Sequence, residues 1–174
     1  PLSSDVIGPM REALVIFYHA TRQRVVEEEQ GLSKAADMIQ AARHRVANWP
    51  IEGDSFTAVA GGLRKLYKRG CNRLDDALDN PSAEAFHEWR KRVKYLWYSV
   101  RILRPIWPGL MKKLADEIHD LSDDLGEAHD LAELQGLVAE RPLILDDEDA
   151  RNRLIVYLQD RRAALHEKTY QRGQ

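Results

Sequence analysis

The sequence holds a single cysteine, Cys71, which excludes an internal disulfide and fits a reducing compartment. No apolar run approaches the roughly 20 residues needed to span a bilayer, so no membrane association is expected. The first residues, Pro1-Leu2-Ser3-Ser4, lack a signal-peptide pattern. Pro1 is not a translation start, so further sequence is expected upstream. There is no P-loop, no dinucleotide fingerprint and no nucleophile elbow, and no cofactor is expected. Alternating strand patterns are scarce. The formal net charge is only −2, so whole-chain charge gives no reason to expect a polyanion partner.

What the chain does contain is helical periodicity. Its 174 residues, 44% hydrophobic and 31% charged, suit one ordered domain rather than a disordered chain. The pattern predicts a first helix over residues 9–29, ending at Gly31, and a second over residues 33–48, N-capped by Ser33 and stopped by Trp49-Pro50. Residues 51–55 (IEGDS) read as a loop, and a third helix follows over residues 56–78. Asn80 as N-cap and Pro81 at the first helical position start a fourth helix that runs to Leu103. A fifth starts near Gly109. Its apolar stripe (Leu110, Leu114, Ile118, Leu121, Leu125, Ala128) jumps to Leu131, Leu134 and Val138, which predicts a kink or break near residues 126–130. Arg141-Pro142 and the acids at residues 146–149 read as a loop before a last helix over residues 150–170. The expected architecture is all-α: an antiparallel bundle of about five to six helices.

The fourth helix is two-faced. His87, Arg90, Lys91, Lys94, Tyr98 and Arg101 fall within about 60° of His87 on a helical wheel. Phe86, Trp89, Val93, Leu96, Trp97, Val100 and Leu103 lie opposite. From residue 89 to residue 114 there is no Asp or Glu, while Arg90, Lys91, Arg92, Lys94, Arg101, Arg104, Lys112 and Lys113 all lie there. Like charges therefore stack one turn apart, where an ordinary solvated helix mixes signs. An anionic ligand compensates such a row. So does an acidic partner segment, and residues 116–149 supply thirteen acids against Arg141. The pattern alone leaves both readings open. The third helix repeats the division: Leu63, Leu66, Tyr67, Gly70, Leu74 and Ala77 share one side, and Arg64, Lys65, Lys68, Arg69 and Asn72 the other, with Arg73 at the border. Two neighbouring basic helices make a groove that concentrates positive potential.

These segments carry a resemblance. The run FHEWRKRVKYLWY (residues 86–98) resembles the signature helix of the CHAD domain, the conserved histidine α-helical domain, in which a histidine leads a periodic array of Arg and Lys. GLRKLYKRG (residues 62–70) is similar to the basic helix before it, and DLGEAHDL (residues 124–131) to a later LG-x-x-HD element. The resemblance spans Leu32 to Tyr170. It implies an all-helical, non-catalytic fold that binds inorganic polyphosphate through His87, Arg90, Lys91, Lys94 and Arg101, with Arg64, Lys68, Arg69 and Arg73 from the preceding helix. It also implies a cytoplasmic protein associated with polyphosphate granules. A whole CHAD domain has two halves, each with a His-led basic helix. This chain has one, matching the second half, and the segment from Tyr18 to Arg24 does not replace the other. Residues 1–174 therefore read as a single CHAD-like domain that is a C-terminal half or a truncated one, with self-association or an N-terminal half-domain completing the site.

Other readings attach to the same residues. The basic face also suits nucleic acid, and the acidic segment suits docking of a second copy in an interaction scaffold. His119-Asp120 and His129-Asp130 each spell the HD of metal-dependent phosphohydrolases, but such a centre needs further ligands from other helices, and no metal is expected. Trp49, Trp89, Trp97 and Trp107 read as core or loop anchors, Tyr98 as a groove-lining residue, and Cys71 as structural.

Overall fold

A computed structural model describes residues 4–50 and 56–174; the expected IEGDS loop lies outside them. Six α-helices follow in order: α1 Ser4–Gln23, α2 Gly31–Val46, α3 Thr57–Asp79, α4 Ala83–Leu103, α5 Pro108–Glu140 and α6 Glu148–Gly173. A π-helical turn, Arg24–Glu28, follows α1, and a 3-10 turn, Pro142–Ile144, precedes α6. No strand occurs among the described residues, so the fold is the all-α bundle expected.

The boundaries show local chemistry at work, and several differ from expectation. The first helix starts at Ser4 and continues through Pro9. The second begins at Gly31, not Ser33, because Gln30 takes a left-handed turn at φ 53°. A Cβ on Gly31 would lie 2.6 Å from the Val25 carbonyl oxygen, so the close return of the chain needs glycine there. Asn80 ends α3 instead of capping α4. The following proline keeps it out of the helical region, at φ −140° and ψ 75°, and its N–H donates to the Asp76 carbonyl at 3.0 Å. The cap of α4 is Ser82, whose Oγ accepts the Ala85 N–H at 3.1 Å. At the start of α6 the Asp147 carboxylate accepts the Ala150 N–H at 2.9 Å, so part of the expected acidic loop is helix cap and first turn.

The expected break in α5 is absent: 33 residues run uninterrupted. The jump in its apolar stripe marks a change of partner. Its first half contributes Ala115, Ile118 and Leu125 to one core, with Leu74 and Ala77 of α3 and Phe86, Trp89, Val93 and Val100 of α4. Its last turns contribute Val138 to a second core, with Ile144, Leu145, Leu154 and Leu158. Contacts across α4–α5 and α5–α6 run with opposed numbering: His87 meets His129 and Trp97 meets His119, while Arg161 meets Glu127 and Arg172 meets Asp120. These helices are antiparallel neighbours. Met10 and Leu14 of α1 pack on the second core, whereas α2 buries none of its residues.

Candidate anion-binding site

The Ser82 cap and the buried Phe86, Trp89, Val93 and Val100 fix both the start and the rotation of α4. Its basic row is thereby turned away from the core, and the structure distributes the row over distinct surroundings. Arg90 and Lys94 line a cleft of about 460 Å³ between α4 and α5. Arg90 lies over Gly126, where a Cβ would stand 3.6 Å from its Nε, and that Nε is buried without a hydrogen-bond partner among the described residues. His87 packs on α5, its ring centroid 4.7 Å from that of His129. Lys91 donates to Glu88 Oε1 at 2.5 Å. That hydrogen bond, with the charges of Arg92 and Arg73 adding to it, holds the Glu88 carboxyl below the usual range. Arg101 lies over the Trp97 ring, 4.7 Å from its centroid.

The α3 residues do not join that row. Arg64 lines a separate, mainly apolar groove of about 480 Å³ among α3, α4 and α5. Lys68 is exposed. Arg69 and Arg73 line a hollow of about 240 Å³ between α3 and α4 with Asn72, Asp76 and Arg92. Arg73 donates to Asp76 at 2.6 Å. The single groove expected from two basic helices is thus divided: Arg90 and Lys94 line the α4–α5 cleft, Arg69 and Arg73 the α3–α4 hollow on the other side of α4, and Arg64 the apolar groove. Arg92 was not among the expected site residues. It sits in the acid-free window but off the row, toward α3. Tyr98 is exposed against Trp97 and does not line the cleft, and Tyr67, expected on the apolar side of α3, is 62% exposed.

The acids of α5 find partners mainly on α6. Lys168 donates to Asp124 at 2.7 Å, Arg172 lies 3.1 Å from Asp120 and 3.3 Å from Asp124, and Arg161 lies 2.8 Å from Glu127. Asp123 faces His119 at 3.3 Å. Asp123, Glu127 and Asp130 do form the wall of the cleft opposite Arg90 and Lys94, but the cleft stays open between them. Arg64, Lys68, Arg69, Arg90, Lys94 and Arg101 form no ion pair among the described residues.

The model of the CHAD domain matches residues 2–139. The chain belongs to the CHAD family. The match reaches into α1, ahead of the Leu32 start expected, and ends within α5, short of Tyr170. No curated protein and no solved structure gives a match.

In this CHAD chain the histidines of the two HD dipeptides pack on α4. His119 stacks on Trp97, with centroids 4.7 Å apart and planes 24° apart, and His129 packs on His87. No group of three or more His, Cys, Asp or Glu is placed to hold a metal among the described residues. Nor is any helix there long and apolar enough to cross a membrane. Of the four tryptophans, Trp89 is buried and Trp97 half-buried. Trp49 and Trp107 are exposed rather than anchored.

Proposed function

We propose that this CHAD chain binds inorganic polyphosphate without breaking a bond in it. The residues assigned to it are His87, Arg90, Lys91, Lys94 and Arg101 of α4, and Arg64, Lys68, Arg69 and Arg73 of α3. The observation that supports the reading is the division of charge. Arg161, Lys168 and Arg172 of α6 pair with Asp120, Asp124 and Glu127 of α5, whereas seven cations of α3 and α4 (Arg64, Lys65, Lys68, Arg69, Arg90, Lys94 and Arg101) form no ion pair among the described residues. Such a surface repels itself, and a polyanion relieves the repulsion by many weak contacts at once. Guanidinium groups give paired donors to phosphate oxygens, and ammonium groups give adaptable point charges.

On this reading the partner is polyphosphate, the place of action is the cytoplasm and its polyphosphate granules, and a second copy or another half-domain adds further cations. Nucleic acid competes for the same charge and finds the exposed rings of Tyr67 and Tyr98 beside it, but the two tryptophans of α4 are shielded. Trp89 is buried and Trp97 lies between Arg101 and His119. The test is competition by fluorescence anisotropy. Labelled RNA bound to the chain should be displaced by polyphosphate at a lower phosphate concentration than the reverse exchange requires. Preferential retention of RNA would contradict the proposal.

A further inference from the structure

The α3–α4 hollow and the α4–α5 cleft lie on opposite flanks of one helix. Arg92 is about 160° around the α4 axis from Lys94, with α3 beside the first and α5 beside the second. The two recesses differ in charge. In the cleft, Arg90 and Lys94 face Asp123, Glu127 and Asp130. In the hollow, three guanidinium groups, Arg69, Arg73 and Arg92, face Asp76, with the Glu88 carboxylate 3.7 Å from Arg92 and with Asp79, Glu84 and Glu88 lining the adjoining recess that shares Arg73 and Asp76.

The hollow's own pairings are loose. Arg69 pairs with no acid among the described residues. The Arg73–Asp76 pair is half exposed, with side chains 44% and 53% accessible. Arg92 stands 3.7 Å from Glu88, which is already bonded to Lys91. Exposed pairs of this kind are weak, so a phosphate group arriving in the hollow competes with them easily. It offers several acceptor oxygens to guanidinium forks that otherwise face solvent. The lowered pKa of Glu88, caused first by the Lys91 hydrogen bond and then by the Lys91, Arg92 and Arg73 charges, is consistent with a positive field on this flank.

We infer that Arg69, Arg73 and Arg92 form a second phosphate-binding site, independent of the α4–α5 cleft. The inference rests on the polyphosphate reading for its ligand class. With one site on each flank of α4, a single chain holds two polyphosphate segments and ties long polymers together. A single strand crossing the Lys91 ridge from one recess to the other is the competing geometry, and stoichiometry separates the two.

The full chain is titrated with tripolyphosphate by calorimetry and with long-chain polyphosphate by light scattering. The expected result is two tripolyphosphates per chain and a rise in scattering with the long polymer. Arg69→Ala/Arg92→Ala should remove one equivalent and the scattering rise while long-chain binding persists. Arg90→Ala/Lys94→Ala should remove the other equivalent. Arg92 borders the core, so the exposed Arg69→Glu is the variant that folding cannot confound; it should weaken one equivalent by about tenfold or more, about 1.4 kcal/mol. One tripolyphosphate per native chain, or two equivalents untouched by Arg69→Glu, overturns the second site and leaves the polyphosphate reading standing. No binding of either ligand to the native chain overturns both.

Discussion

Burial of His166 face to face with Phe86, ring centroids 3.4 Å apart, and secondarily the charge of Arg162, lower its pKa to about 4. The folded chain therefore holds this ring neutral where the unfolded chain, with a normal value near 6.5, takes up a proton. Its contribution is fully present above about pH 6.5 and is lost as pH falls toward about 4. Allowing for partial solvation, the loss is on the order of 2 kcal/mol. Denaturant melts across this range should show the slope, and His166→Phe should flatten it. Two glycines give a contrast of packing. A Cβ at Gly126 meets only the Arg90 side chain, at 3.6 Å, whereas at Gly173 it would come within 2.8 Å of Trp89 and 3.2 Å of Leu74. Gly126→Ala should stabilise by about 0.5–1 kcal/mol through helix propensity. Gly173→Ala should destabilise by about 1 kcal/mol or more; thermal melts of the two variants check the opposite signs.

Among the elements, α5 and α6 depend on Asp124, which is buried and held by Lys168 and Arg172 together. Asp124→Asn leaves Lys168 without its carboxylate and Arg172 with Asp120 alone. It should cost about 2 kcal/mol in chemical denaturation, less than for a fully buried pair because Lys168 is half exposed. At the other extreme, α2 leaves Leu32, Met38 and Ile39 about seven-tenths exposed and is barely longer than a helix that is marginal in isolation. Its amides should exchange with deuterium far faster than those of α4 in a monomeric sample. The six helices and the basic row of α4 were legible in the sequence because periodicity and charge are local. The partner of Asp124 was not, since Lys168 lies 44 residues away. The continuous course of α5 was also hidden, because a stripe that shifts between two cores looks like a broken helix. A helical wheel assigns Arg69 and Arg90 to basic faces, but it does not say that those faces open on different sides of α4.

For the molecule as a whole, net charge is a poor guide, because the signs are segregated and then paired selectively. Asp120, Asp124 and Glu127 of α5 are engaged by α6, and cations of α3 and α4 line recesses on both flanks of α4 and an exposed ridge. A nearly neutral chain can in this way present a locally cationic surface. Its most direct test is the salt dependence of long-chain polyphosphate binding, with the logarithm of the association constant plotted against that of salt concentration. A linear, steep fall is predicted, with a slope of roughly −0.7 for each phosphate neutralised, as for single-stranded polyanions. Affinity that does not change with salt, or no binding even at low salt, would contradict the account.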